Sequence, residues 1–404
     1  MRRLKRYICL VGLLALLAAA LTGCGFSDDS VEELFTLPRM AEEYTGLTQE
    51  LETLITQGYE YASPTGGRNI QSVQMADLDG DGQQEALAFF RMSSDEKPLK
   101  IFVFKIEGDS YARYCTIESS GTAIDSVYYQ DLNGDGRREL IVGWRISAEV
   151  QTVAVYTVAR EPVALMSSGY TRFTIQDLNG DGIPSLLVLR TDADSQPVAE
   201  FYGWQEEQMG VAYRCVLSST MASVNRGSLV SGRLDADTPA LYITGVDEQG
   251  MAATDILVFR QDLGLVNLAL SGSSTGVSNA VFPYRQLLPQ DINGDGIIEL
   301  PSPDTSWTAE QTDGLVSWLC CNGDGQLSTV AKTYHSLSCG WYFTIPESWW
   351  DWSVETATTS ISNENQFSLA INGDPVLSLY TITGENRENR GRMGKRVPVS
   401  YTHL

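Results

Sequence analysis

The chain has 404 residues, with 51 Asp or Glu against 28 Lys or Arg and a formal net charge of −23. So acidic a chain is a poor partner for nucleic acid, whose phosphates are bound through Lys and Arg. Only His335 and His403 are present, and no His-Glu-x-x-His or phosphate-binding glycine loop occurs. That argues against histidine triads, multi-histidine metal sites and phosphate-cradle enzymes.

At the N-terminus, Arg2, Arg3, Lys5 and Arg6 precede a short apolar run, Tyr7 to Leu21, which is too short to span a bilayer comfortably. This is the layout of a cleaved signal, and Leu21-Thr-Gly-Cys24 resembles a bacterial lipobox. Residues 1–23 are therefore expected to be removed and Cys24 to carry lipid, leaving the chain on the outer face of the cytoplasmic membrane. Loss of the four basic leader residues would take the charge from −23 to −27. Residues 24–66 read as a polar tether and one amphipathic helix. Met40, Tyr44, Leu47, Leu51 and Leu54 recur at three- and four-residue steps, and Gly58 supplies a stop. The helix is expected to cover part of the fold.

From residue 67 to 335 one acidic loop recurs. Its first copy runs Asp77-Leu-Asp-Gly-Asp-Gly-Gln-Gln-Glu85. Asp77, Asp79 and Asp81 place carboxylates at positions 1, 3 and 5, Gln83 offers a backbone carbonyl at 7, and Glu85 closes the set at 9. Hard oxygen donors at alternate positions are what calcium requires, and glycines at 4 and 6 let the chain curl. The second copy offers Asp131, Asn133, Asp135, the Arg137 carbonyl and Glu139. The third offers Asp177, Asn179, Asp181 and the Ile183 carbonyl, but Ser185 stands at position 9 and should weaken binding. The last offers Asp291, Asn293, Asp295, the Ile297 carbonyl and Glu299. A degenerate copy aligns Arg233 with position 1, Asp235 with 3 and Asp237 with 5, and Leu241 replaces the closing acid. Here the Arg233 guanidinium could stand in for an ion by pairing with both acids, or the segment could be an ordinary exposed loop.

An EF-hand does not fit. It needs a bidentate Glu at position 12 and flanking helices, whereas position 12 is Ala88 or Val142. The flanks, Val127-Tyr-Tyr129 and Leu140-Ile-Val-Gly-Trp144, are strand-like. A lone Asp-Gly pair marks only a tight turn, but four copies in register indicate an ion.

The first positions fall at 77, 131, 177, 233 and 291, which is 54, 46, 56 and 58 residues apart. That spacing accommodates one four-stranded sheet per repeat. Each loop is followed by a hairpin pattern, as at Ile101–Lys105 with Tyr111–Tyr114, Ala199–Trp204 with Met209–Tyr213, and Ile256–Arg260 with Leu265–Leu268. A fourth lies around Asn322-Gly-Asp-Gly325. The expected fold is all-β, a β-propeller of five to seven four-stranded blades, and an open β-solenoid is the alternative. The Asp-x-Asp/Asn-x-Asp-Gly-x-x-Glu pattern followed by an apolar strand resembles the FG-GAP and VCBS-type repeats of integrin α-subunit propellers and many bacterial surface proteins. That resemblance implies calcium in the loops and a propeller, and leaves function open.

Residues 336–404 read as a C-terminal β segment. Trp341, Trp349, Trp350 and Trp352 cluster there, and packing is favoured over sugar stacking. The last six residues, Val399–Leu404, resemble the translation of a transposon end, and the segment is expected to be cut short. Cys115, Cys215, Cys320, Cys321 and Cys339 remain after Cys9 and Cys24 are set aside, an odd number that does not suggest a disulfide framework.

These features point to a calcium-stabilised envelope lipoprotein that binds or scaffolds glycan or protein. The alternatives are a polysaccharide-acting enzyme using acids outside the loops, or a structural subunit of an envelope complex. No catalytic residue stands out.

Overall fold

A computed structural model describes residues 44–392 and 394, apart from 249, 251, 270–286, 304–312, 338–339, 352–353 and 362. The leader, Cys24, Met40, Cys339, Trp352 and the C-terminal tail lie outside the described residues.

Helix α1 (Thr45–Thr56) ends in a left-handed Gly58 at φ +94°. Gly58 N donates to the Ile55 carbonyl and Tyr59 N to the Leu54 carbonyl, so the last turn's acceptors are satisfied in a Schellman motif. Leu47, Leu51 and Leu54 are buried on one face. Burying each is worth about 1.5–3 kcal/mol relative to exposure.

Apart from short helical turns and a five-residue helix at Arg387–Gly391, the other regular structure among the described residues is six antiparallel sheets. Sheet I comprises β1 (Glu60–Tyr61), β2 (Val73–Ala76), β3 (Glu85–Arg91), β4 (Leu99–Glu107) and β5 (Ser110–Ser119). Strands β1 and β2 share one edge of β3. Sheet II is β6 (Ala123–Gln130), β7 (Glu139–Arg145), β8 (Gln151–Tyr156) and β9 (Ala164–Gly169), and sheet III is β10 (Arg172–Gln176), β11 (Ser185–Thr191), β12 (Pro197–Gln205) and β13 (Gln208–Val216). Sheet IV is β14 (Leu229–Arg233), β15 (Pro239–Val246), β16 (Ala252–Arg260) and β17 (Gly264–Asn267). Sheet V is β18 (Leu300–Pro303), β19 (Asp313–Cys321), β20 (Leu327–Ser336) and β21 (Trp341–Thr344), while the smaller sheet VI has three strands, β22 (Val354–Ile361), β23 (Glu364–Ile371) and β24 (Asp374–Ile382). The expected hairpins are β4–β5, β12–β13, β16–β17 and β19–β20.

Strand alternation sends successive side chains to opposite faces, and here both faces are buried. In β3, Leu87 and Phe89 meet sheet II beside Val142 and Trp144, whereas Ala86, Ala88 and Phe90 meet α1. In β7, Ile141 turns the other way and joins Leu186 and Val188 of sheet III. Leu187 and Leu189 of β11 then meet Leu241 and Ile243 of sheet IV, and Tyr242 and Ile256 meet Leu300 and Cys321 of sheet V. Near-continuous apolar strands such as Leu186-Leu-Val-Leu189 follow from this double burial. Sheet VI packs Phe367, Leu369 and Ile371 on Leu315 and Tyr334, at the far end of the β19–β20 hairpin from sheet IV. Trp341 and Trp349 pack in the same cluster, as the sequence suggested.

Strands β2, β6 and β10 of sheets I, II and III border one polar cavity of about 880 Å³. Strands β6, β10 and β14 of sheets II, III and IV border a second, of about 550 Å³, which shares Tyr128, Phe173 and Thr174 with the first.

Candidate metal centres

Three of the acidic loops join β2 to β3, β6 to β7 and β10 to β11, and the last precedes β18. In sheets I to III the strand pair closes at Ala76↔Glu85, Gln130↔Glu139 and Gln176↔Ser185, and in the last unit a single bridge, Gln290↔Glu299, does the same. Strands rather than helices flank the first three loops, as expected, and the last runs from its bridge straight into β18 (Leu300–Pro303).

Each loop carries the same hydrogen-bond nest. The position 1 carboxylate accepts the N–H groups of both glycines, at 2.8 and 3.2 Å in loop 1, 2.6 and 2.8 Å in loop 2, 2.7 and 2.8 Å in loop 3, and 2.7 and 2.9 Å in the last loop. The position 5 carboxylates of Asp81, Asp135, Asp181 and Asp295 accept the N–H of Gln83, Arg137, Ile183 and Ile297 at 2.7–2.8 Å. These bonds fix the carboxylates before any ion arrives and leave lone pairs on each of them.

The closing acid is the unusual group. Glu85, Glu139 and Glu299 are 2%, 5% and 1% exposed. In each, Oε2 accepts the position 2 N–H (Leu78, Leu132 or Ile292) at 2.7, 2.8 and 3.0 Å, which fixes the carboxylate. Ser185 forms no such bond among the described residues. Burial raises all three carboxyl pKa values, despite the backbone hydrogen bond, and pushes Glu139 up to about 7. In loop 2, Asp135 and Asp131 push in the same direction. A buried carboxylate beside like charges is stable as an anion only with a cation, and the group Asp77, Asp79 and Glu85 could hold a metal ion. Loop 2 also opens onto a cavity of about 630 Å³ lined by Asn133, Asp135 and Glu139.

A pH dependence follows. In calcium-free protein the Glu139 pKa of about 7 exceeds its ordinary 4.5. Its contribution is therefore fully present below the unfolded value and is lost as pH rises through the folded one. The stability of wild type minus that of Glu139→Gln should fall by up to about 3 kcal/mol between pH 4.5 and 8. Urea midpoints measured in EDTA across that range check this.

Loop 1 differs from its neighbours. Asp77, Asp79 and Glu85 bring one oxygen each within 4.8 Å of one another. The Lys105 ammonium lies 2.5 Å from Asp79 Oδ2 and 3.6 Å from Glu85 Oε1. The hydrogen bond to Lys105 is the main reason the Asp79 pKa is lowered. Lys105 comes from β4 and was not foreseen. The register offered a signal: the residues after the partners of Ala86, Leu140, Leu186 and Leu300 are Lys105, Thr157, Gly203 and Cys320, so a cation occurs in the first unit alone of these four.

The loops touch along one rim. Arg138 N donates to the Leu78 carbonyl at 2.7 Å, linking loop 2 to loop 1, and Ile298 N donates to the Arg233 carbonyl at 3.0 Å. Between loops 2 and 3 the equivalent donor would be residue 184, but Pro184 has no N–H. The Leu132 carbonyl is bonded instead by Trp204 Nε1 at 2.7 Å. Trp204→Phe would strand that carbonyl, and is expected to cost about 1–3 kcal/mol. The urea midpoint of the variant measures it.

The degenerate copy is corrected by the strand register. Arg233 pairs directly with Pro239, leaving only residues 234–238 in the turn, against residues 131–138 between Gln130 and Glu139. Pro239, not Leu241, thus stands where the closing acid should be, and the turn is too short for a cage. The Arg233 guanidinium binds the Ala236 carbonyl at 2.6 Å rather than Asp235 and Asp237. Asp235 is occupied by the N–H of Asp237 and by both donors of Thr238.

Outside the loops, the buried acids have partners. Glu200 holds Arg190 through two bonds of 2.7 and 2.9 Å. Asp255 accepts from Ser218, Ser219 and Asn267, and Asp125 pairs with Arg145 at 3.0 Å. Cys115, Cys215, Cys320 and Cys321 are free thiols.

No family model matches the chain, and no curated protein matches it. Among solved structures, the chain is similar to a subtype N10 neuraminidase-like protein of A/little yellow-shouldered bat/Guatemala/060/2010, at 12% identity and TM-score 0.28, covering 80% of this chain and 98% of that one. It is also similar to a hypothetical protein from Leishmania major, at 9% identity and TM-score 0.19, covering 72% and 91%. Overlaps this loose carry no argument about fold or function.

Proposed function

We propose that the protein is a calcium-stabilised β-propeller of the FG-GAP or VCBS type. In this reading it is lipidated at Cys24, sits on the outer face of the bacterial cytoplasmic membrane, and binds or scaffolds an envelope glycan or protein. One observation carries the reading: four loops repeat the same nest of backbone bonds around regularly spaced acids, three of them closed by a buried glutamate, and in loop 1 Asp77, Asp79 and Glu85 come together. Oxygen donors at alternate positions of the loop are the chemistry that a hard cation takes. The radial arrangement is supported by strands β2, β6, β10 and β14 of four successive sheets bordering shared polar cavities. Asn69, Gln71, Gln130 and Tyr128 line the larger one, and their amides, hydroxyl and ring suit a hydroxyl-rich ligand. Binding is favoured over hydrolysis because Asp125, Glu200 and Asp255 already have cations or N–H donors.

The test is a pull-down from native envelopes with and without calcium, paired with a glycan panel scored for both binding and turnover. Saturable, calcium-dependent capture of one glycan or protein without turnover supports the reading. Turnover of a polysaccharide would replace it with the enzymatic one.

A further inference from the structure

We propose that Lys105 is a tethered cation that competes with calcium for loop 1, so that this loop is neutralised by the protein itself and takes an ion only at calcium concentrations well above those that fill loop 2. The inference rests on the calcium reading of the loops. Asp77, Asp79 and Glu85 converge as a metal site should, yet the ammonium already touches two of the three, at 2.5 Å to Asp79 Oδ2 and 3.6 Å to Glu85 Oε1. An ion there must break a charge-assisted hydrogen bond and then share a small site with a like charge. The lysine is held in place by its surroundings. Its ammonium lies 4.5 Å from the centre of the Tyr114 ring, and Arg160 lies 5.6 Å from the same ring. The ring is thus also a place to which the ammonium can retreat when an ion displaces it. Loop 2 has no lysine at the equivalent strand position: Thr157 follows Tyr156 where Lys105 follows Phe104, and although Arg137 and Arg138 line the cavity onto which that loop opens, neither is ion-paired to its acids among the described residues. The consequence is a graded set of loops, in which the junction of sheets I and II at loop 1 stays together without calcium.

The experiment is equilibrium dialysis of the full chain against labelled calcium. Wild type is compared with Lys105→Met, which keeps the apolar stem, and Lys105→Arg, which keeps the charge. Glu139→Gln and Glu299→Gln mark loops 2 and the last loop. Lys105→Met should gain one site, or tighten one by about tenfold or more, while Lys105→Arg behaves as wild type. Calcium bound at the marked loops, with Lys105→Met identical to wild type, overturns the inference and leaves the calcium reading standing. Calcium bound by none of the proteins overturns the calcium reading itself. Should Lys105→Met fail to fold, amine modification of wild type gives the answer. Lys105 should react faster once calcium saturates the protein, with Lys100, paired to Asp95 and Glu118 away from the loops, as the internal control. Unchanged Lys105 reactivity at saturation overturns the inference.

Discussion

Removing calcium should lower the thermal unfolding midpoint by on the order of 5–15 °C, the largest effect expected of any single change in conditions. Extracellular calcium modules bind at about 10⁻⁴–10⁻³ M. At about 1 mM calcium and a dissociation constant of about 0.1 mM, each filled loop adds about 1.4 kcal/mol. Two to four filled loops then contribute about 3–6 kcal/mol, a large part of the 5–15 kcal/mol typical of net stability. The burden falls on loop 2 and the last loop, whose closing carboxylates Glu139 and Glu299 are buried beside other acids. Loop 3 lacks the closing acid and loop 1 has Lys105. Melting curves with and without EDTA are the check, and calcium added back in excess must restore the midpoint. Identical curves would remove the structural role assigned to the ion.

Leu54→Asp should be the most damaging single substitution in the N-terminal part of the fold. Leu54 is fully buried, and its helix covers Ala86, Ala88, Phe90, Phe102 and Phe104 of sheet I. Leucine to a smaller side chain at such a site costs about 2–5 kcal/mol. A carboxylate adds the cost of burying an unpaired charge, which helix undocking relieves. Undocking uncovers a contiguous aromatic face, so association is expected as well as lost stability. Light scattering on the purified variant, together with its urea midpoint, reads both. A monodisperse protein of unchanged midpoint would mean that the helix covers nothing of consequence.

Much of this architecture is legible in the sequence, for local reasons. The acidic loops, the glycines at positive φ and the turns between hairpins are short-range features, and Gly80, Gly82, Gly134 and Gly136 do lie at φ 75–85°. The helix is legible because Leu47, Leu51 and Leu54 repeat with its period. What was not legible depends on register between strands. Lys105 reaches loop 1 only because β4 pairs with β3 as it does, and Trp204 reaches the Leu132 carbonyl from another sheet. The degenerate loop left two readings open because its spaced acids, Asp235 and Asp237, are present although the turn that would close them is only residues 234–238. Sequence spacing within one strand of the turn shows the acids, and only the partner strand shows that the ring is too small.

The rim bonds make the loops unequal in a further way. Loop 2 hands its Arg138 N–H to loop 1, whereas Pro184 has none to hand to loop 2. On the calcium reading, an ion held by loop 2 should also steady loop 1 through that bond, while across the Pro184 junction that backbone route is missing. Cooperativity should thus run unevenly along the rim, with its break written into the chain by one imino acid.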